Sequence, residues 1–407
     1  MQAVSTRQEW ARNWPLLLSC FAGMAAPLLG RYTIGQFMGP MEAELGWTRT
    51  ELTLGLTFSA FVSFTLSPII GRYSDVLNVR IFAIVGLVLT GSMYAGFSFA
   101  GTSVALWVVL WILHAVFSVL VEPVIWLSVV PVKFVTSRSM AIAFVLSGNS
   151  LTVAVTPMLA QVFIDDYGWR AAFRILALLW FGAALLLTLF FFFDSRDHQE
   201  RTPSHAAEKR RHPSVLPLLK SPRFIKFGTA IFAIFMVESA FLVHLAPALI
   251  DKGFTALTAA KLVGLSGVTA IAGKLVAGWL FDNMPFSVVS TAVMGILAAA
   301  CALFPPFGTS LFWATVVCGA LGFTIGAMYT VSACVTRQLF GEEQFGFVFG
   351  TLTSVMVLAS ASGPLLGSFI HDRFGTYDVI YWAGAVIAIF SAVILKTLEE
   401  PREMLAG

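Results

Sequence analysis

Charge is what this chain has least of. Lys, Arg, Asp and Glu make up 12% of its 407 residues while 58% are hydrophobic, against about 25% charged in an average soluble domain. A water-soluble fold has no way to hide that much apolar surface, so the deficit excludes the soluble class. The formal net charge of +3 is small, and the basic residues are scattered through loops, which excludes nucleic acid as a partner. Cysteine is scarce as well. Cys20, Cys301, Cys318 and Cys334 fall inside or beside apolar runs without CxxC spacing, so they read as packing residues and predict neither zinc nor disulfides. No nucleophile–base pair or metal cluster stands out, which argues against an enzyme and against a cofactor. The stretch 267–274 resembles a phosphate loop superficially, but it has one residue too many between its glycines, and Leu275 stands where Ser or Thr is needed. Without ATP hydrolysis, any work across a membrane must draw on a gradient.

What the chain has instead is apolar runs. A helix rises about 1.5 Å per residue, so roughly 20 apolar residues cross a hydrocarbon core about 30 Å thick. About twelve such runs are present, at 14–38, 50–70, 80–100, 104–129, 138–162, 171–193, 223–249, 256–281, 286–305, 309–332, 343–370 and 377–396. The first follows Arg7 and Arg12 as a secretory signal would, but it continues to about Met38 and is longer than the usual 7 to 15 residues. It reads as a membrane span.

One polar, charge-dense stretch interrupts the series and divides the chain into 1–193, a linker at 194–222, and 223–407. The linker mixes charges with Pro203, Pro213, Pro217 and Pro222, which predicts a tether more than a domain. Its Lys209-Arg210-Arg211 run suits contact with anionic membrane lipid. Assigning loops alternately to two sides collects Arg7, Arg12, Arg72, Arg80, Lys133, Arg138, the linker cluster, Arg337, Lys396 and Arg402 on one side. Only Arg49, Arg170, Arg174, Lys252, Lys261 and Arg373 fall on the other. Positive residues stay inside, so both termini and the linker are expected in the cytoplasm of a cell whose inner membrane holds the chain.

Between the second and third runs stands Gly71-Arg-Tyr-Ser-Asp75-Val-Leu-Asn-Val-Arg80, and a degenerate copy recurs in the second half as Gly278-Trp-Leu-Phe-Asp282. Here Gly permits close helix approach, and Asp can cap a helix while pairing with a cation. Two copies at equivalent places of two six-span halves resemble the loop signature of the major facilitator superfamily, where it gates conformational change. Other segments resemble the bacterial relatives of the monocarboxylate transporter family. They are Gly46-Trp47-Thr48-Arg49, Gly168-Trp169-Arg170, His244-Leu-x-Pro247-x-x-x-Asp251-x-Gly253, Gly363-Pro364-x-x-Gly367 and Asp372-x-x-Gly375-x-Tyr377. The resemblance covers nearly the whole chain. It implies an all-α membrane protein of twelve transmembrane helices in two pseudo-symmetric bundles, working as a monomer and rocking around a central site formed by helices 1, 4, 7, 10 and 2, 5, 8, 11. The Gly-Pro-x-x-Gly-Gly pattern of drug/proton antiporters is not found in the fifth run, nor the sugar-porter Pro-Glu-Ser signature after the sixth.

Four ionisable residues fall well inside predicted spans: Arg31, Glu122, Glu238 and Lys274. Each costs about 2.5 to 3.5 kcal/mol at mid-membrane, and four lone charges roughly 12 kcal/mol. They must therefore face each other, a ligand or water. Two readings stay open: internal ion pairs, or cations for an anionic substrate with an acid for the proton. The resemblance implies the second for Lys274, because the family places a substrate-binding Arg there. Lys keeps the charge without the bidentate fork. The family's partner Asp one turn earlier is absent, with Ala270 in its place, which shifts the expected proton coupling to Glu238, with Glu122 second. Arg31 lies where animal members carry a substrate-linked Lys. On depth, Arg31 and Lys274 differ by about 15 Å along the membrane normal, so one small substrate need not touch both.

His244, six residues beyond Glu238, reads either as a proton relay or as a hydrogen-bonded structural histidine; His114 reads more as the latter. Tyr32, Asn149 and Tyr329 could orient a carboxylate or simply pack. Together these residues predict a secondary transporter importing a small organic anion, a monocarboxylate, with a proton. The rivals are a proton-driven exporter of hydrophobic compounds, a dicarboxylate exchanger, and a sensor signalling through the linker. The oxalate exchangers resemble the chain too, but the second cation that this resemblance implies in the eleventh run has no counterpart among Thr353, Ser354, Ser360 and Ser362, so a doubly charged substrate is less favoured and rests on Arg31.

Overall fold

The computed structural model describes residues 6–74, 78–134, 137–193 and 220–398, and among the described residues every regular element is a helix. Asp75 and the linker from 194 to 219, including Lys209-Arg210-Arg211, lie outside the described residues. Internal contacts group the chain into two compact units, Met1–Trp47 with Phe58–Pro213, and Thr48–Thr57 with Ser214–Gly407.

In the first unit, helices α1 (Thr6–Ala25) and α2 (Leu29–Leu45) are bent by 41°, although their apolar run is continuous. Pro27 stands at the break; it cannot donate to the helix ladder and disfavours helical backbone in the residue before it. Helices α3 (Arg49–Ser74) and α4 (Val79–Gly96) follow, the latter capped by Asn78, whose side chain accepts from Arg80 N and Ile81 N.

The fourth run is not one helix. After α5 (Val104–Ser118) come a 3₁₀ turn (Val119–Val121) and two short pieces, α6 (Pro123–Leu127) and α7 (Val130–Lys133). Glu122 is extended, with φ −64° and ψ 161°, as the residue before Pro123 should be. Next, α8 (Arg138–Ala177) reverses at Gly168, whose φ of 78° and ψ of 160° are open to glycine alone. A π-helical turn at Leu178–Gly182 leads into α9 (Ala183–Phe191).

The second unit holds α10 (Pro222–Asp251), α11 (Ala256–Asn283), α12 (Phe286–Leu303), α13 (Leu311–Phe340), α14 (Glu342–Phe374) and α15 (Asp378–Lys396). Its dominant packing pairs are α11 with α13, α10 with α14, and α12 with α15. Glycine allows the first two. A Cβ on Gly326 would overlap the Ala270 carbonyl oxygen, and one on Gly363 would overlap that of Met236, so backbone meets backbone as in other membrane helix pairs.

Among the described residues, nine helices are long and apolar enough to cross a membrane, or ten with the bent pair α1–α2 taken as one span. The 52-residue stretch Met140–Phe191 counts once there, and the Gly168 reversal divides it in two. Adding α3, 26 residues long, gives twelve. Helix α15 shows the solvent these spans face. Trp382, Val386, Ile389 and Val393 stand exposed at 3- and 4-residue spacing while Tyr381, Ala385 and Ala388 are buried. A helix apolar on both its inner and outer faces is built for lipid.

Candidate transport site

In the first unit, Arg31 and Tyr32 are half-buried on α2, in the first turn after the Pro27 bend. Asn149 is half-buried on α8, and its Oδ1 is buried with no hydrogen-bond partner. Its neighbour Gly148 lies so close to α1 that a Cβ would overlap the Phe21 carbonyl oxygen. Glu122 sits at the break between α5 and α6, beside backbone groups that no continuous helix satisfies. One of these is taken up locally, since Trp126 Nε1 donates to Val121 O at 2.8 Å. A discontinuous span is the usual way a transporter exposes backbone polar groups at membrane depth, and Pro123 directly after Glu122 was the signal for it in the sequence.

His114 is buried in an aromatic nest with Tyr94, Phe97 and Trp111. Arg80 donates to Leu189 O at 2.8 Å and lies over the Phe193 ring at 4.4 Å, so its described contacts tie α4 to the end of α9.

In the second unit, Lys274 is exposed on α11, and its carbonyl accepts from Thr330 Oγ1 at 3.4 Å. The adjacent Tyr329, 55% exposed, meets Phe235 of α10 edge-on at 5.1 Å. Thr330 thus ties the Lys274 turn of α11 to α13, and Tyr329, the residue before Thr330, ties α13 to α10. Among the described residues the nearest atom to a Cβ on Gly278 would be Thr330 Cγ2 at 4.0 Å, an ordinary contact distance. The side chain of Asp282 lies outside the described residues.

Glu238 is 4% exposed, and its Oε1 is buried with no hydrogen-bond partner. Its turn of α10 faces α12 and α15, since a Cβ on Gly384 would touch Phe241, Val237 and Cys301 Sγ. The structure therefore sets the acid inside the bundle and Lys274 on its exposed side. His244 is engaged on both ring nitrogens. Nε2 lies 2.8 Å from Pro364 O, which can only accept, so Nε2 carries the hydrogen and Nδ1 accepts from Tyr377 Oη at 3.0 Å.

A cluster that the sequence reading did not assemble lies at the end of this unit that carries Thr48–Thr57. Arg49 makes a two-pronged bond to Asp251, at 2.8 and 3.1 Å, and stands over the Tyr377 ring at 5.1 Å. Burial opposes its charge, but the bonds to Asp251 and Tyr377 outweigh it and raise the guanidinium above its ordinary range. Asp372 accepts from Thr50 N at 2.9 Å and from Thr50 Oγ1 at 2.5 Å, while Thr53 Oγ1 donates to Ser368 Oγ at 2.9 Å.

A family model described as Major Facilitator Superfamily matches residues 20–331 and 288–406. The chain belongs to the major facilitator superfamily. This facilitator is 24% identical to monocarboxylate transporter 13 of Rattus norvegicus over 271 residues, 65% of this chain and 60% of that protein. It is 26% identical to monocarboxylate transporter 11 of Mus musculus over 270 residues, 61% of this chain and 56% of that protein. Both alignments thus span less than two thirds of the relatives' length. An agnestins efflux protein of Paecilomyces divaricatus is 24% identical over 279 residues, 66% of this chain and 60% of that protein. The fold matches a bacterial homologue of the human lysosomal transporter Spinster, with TM-score 0.70 at 15% identity over 96% of this chain and 97% of that one. It also matches the nucleoside transporter NupG, with TM-score 0.77 at 10% identity over 95% and 100%. The molecule is a multi-pass membrane protein of this superfamily.

Proposed function

We propose that this facilitator is a secondary active transporter of a small monocarboxylate, taken up with a proton, in a cell inner membrane with both termini in the cytoplasm. Lys274 is the observation that carries the reading. A Lys well inside an apolar span costs several kcal/mol unless it has a use, and here it stands exposed on α11. An exposed cation on α11, with the Tyr329 phenol and the Phe235 ring on the two helices α13 and α10, suits a carboxylate with a short hydrocarbon body. The likeness to monocarboxylate transporters supports the same substrate class. Arg31 and Tyr32 on α2 and Asn149 on α8 are the first unit's candidates for the same anion at other stages of the cycle.

Glu238 is the proton carrier in this reading. A buried carboxyl with an oxygen that nothing reaches is penalised as an anion, and taking up a proton removes that charge. Glu122, at its helix break, is the second acid. The two ring bonds of His244 support a structural tie over a relay.

The test is uptake of a panel of labelled small carboxylates into proteoliposomes under an inward proton gradient. Losing one charge-assisted contact in Lys274→Ala should lower uptake of the preferred acid roughly tenfold to a hundredfold. Undiminished uptake in that variant would reduce Lys274 to a structural charge. The efflux relative supports a second reading, proton-driven export of a hydrophobic compound; in that case no carboxylate competes for transport.

A further inference from the structure

The cluster around Arg49 forms a closed circuit. From Arg49 it passes to Asp251, then to His371, whose Nε2 lies 3.2 Å from Asp251 Oδ2 and whose Nδ1 lies 3.7 Å from Asp372 Oδ1. From Asp372 it returns to Thr50. A second arm runs from Arg49 over Tyr377 to His244, then to Ser368 at 3.3 Å, and back to Thr53. Both arms begin and end on the first turns of α3, the segment Thr48–Thr57 that groups with the second unit while α3 from Phe58 onward groups with the first.

The two histidines in this circuit differ in one respect. Neutral His244 has a donor on one nitrogen and an acceptor on the other, each with a matching partner. His371 has a carboxylate at both nitrogens, and its Nδ1 is buried with no hydrogen-bond partner. In the neutral ring one nitrogen must therefore turn a lone pair toward a carboxylate; with both nitrogens protonated, each points a hydrogen at an acid. The charges agree. Among the described residues the groups around His371 are Arg49 from α3, Asp251 and His244 from α10, Asp372 from its own helix, and Tyr377, whose ring lies 4.5 Å away, while Arg373, two residues on, is exposed on another face of α14. Asp378, next to Tyr377, pairs with Lys252 at 3.1 Å. Within the bonded circuit Arg49 alone balances one of two acids, and an imidazolium at 371 balances the other.

We propose that His371 is a proton-operated catch on the first turns of α3: protonated, it closes the circuit and holds 48–57 against α10 and α14, and losing its proton loosens that hold. Histidine is the side chain whose charge changes across the pH range a cell surface meets. By the distribution of Lys and Arg this end is the outer one. Acid outside then favours the clasped state and neutral pH the released one. This device rests on the fold and on the orientation proposed above, not on the substrate assignment.

The test is hydrogen–deuterium exchange of the full chain in lipid nanodiscs at pH 6 and pH 8, corrected for intrinsic exchange rates. Segment 48–57 should open about threefold more often at pH 8 than at pH 6, the scale of one partly exposed ion pair. His371→Gln, neutral at both values, should abolish the difference, and so should Asp372→Asn, which removes the second carboxylate. The exchange of α12, which takes no part in the circuit, reports whether either variant is folded. Equal opening of the parent at both pH values, or an undiminished pH difference in a folded His371→Gln or Asp372→Asn variant, would overturn the proposal.

Discussion

Substituting Gly326 by Ala tests the packing on which the Lys274 side of the site rests. An alanine Cβ at 326 would lie 2.6 Å from the carbonyl carbon of Ala270 and 2.7 Å from its Cα, where carbon atoms in contact sit about 3.5 to 4.0 Å apart. The deficit is about 1 Å. No side chain can swing away to supply it, because the obstructing atoms are backbone, so α13 must move off α11 as a body. Overpacking of this kind costs typically 1 to 3 kcal/mol, far more than the gain of under 1 kcal/mol from replacing a helical glycine. The assay is thermal unfolding of the purified protein in detergent, with all variants scanned at one rate because membrane proteins often unfold irreversibly. Gly350→Ala is the control, since nothing lies within 4 Å of its Cβ position, and it should melt at or slightly above the parent. Gly326→Ala should melt several degrees lower and also lose uptake, because Lys274 sits one turn along α11 from the displaced contact. Coincident melting of Gly326→Ala and the parent would refute the backbone-contact account.

Glu238→Gln keeps the shape of the buried acid but cannot release a proton; uptake should stop responding to the proton gradient while counterflow exchange of the anion persists, and gradient-driven uptake at the parental rate would remove Glu238 from coupling. Tyr377→Phe deletes the donor to His244 Nδ1 and leaves a buried acceptor unpaired, at about 1 to 3 kcal/mol; thermal unfolding should register this while the affinity for substrate stays unchanged, and an unchanged melting profile would argue against the bond. Pro123→Ala restores a backbone donor and lets Glu122 turn helical, so the protein should gain stability and lose uptake; full uptake in a stabilised variant would detach the helix break from function.

The apolar runs were legible because a hydrocarbon core sets a length that composition can match, and α10 to α15 follow the expected spans closely. The breaks were legible in principle as well. Pro27 and Pro123 each remove a helix donor and restrain the residue before them, yet a run of unbroken hydrophobicity conceals both. Gly168 was quoted within a motif, and the left-handed backbone that makes it a reversal was not read from it. The intramembrane charges were found by type, but the sequence could not say that Glu238 faces the bundle interior while Lys274 stands exposed. Their helices turn different faces to their neighbours, and composition carries no rotation angle.

The circuit around His371 was the least legible feature, and the reason is separation along the chain. Arg49, Asp251 and His371 stand in three segments more than a hundred residues apart, and no local pattern marks His371 at all. Its frame was nevertheless on view as fragments of motif. Gly363 lets α14 press its backbone on Met236, and Gly367 clears the space His244 fills, since a Cβ there would lie 2.6 Å from His244 Cδ2. His244 in turn holds Tyr377, over which Arg49 rests. The Gly-Trp-Thr-Arg, His-Leu-x-Pro, Gly-Pro-x-x-Gly and Asp-x-x-Gly-x-Tyr segments are therefore parts of one fitting, each supplying either a bonding group or the room for one. Such a fitting fixes where the first turns of α3 can sit in the second unit, and His371 stands within it between two carboxylates.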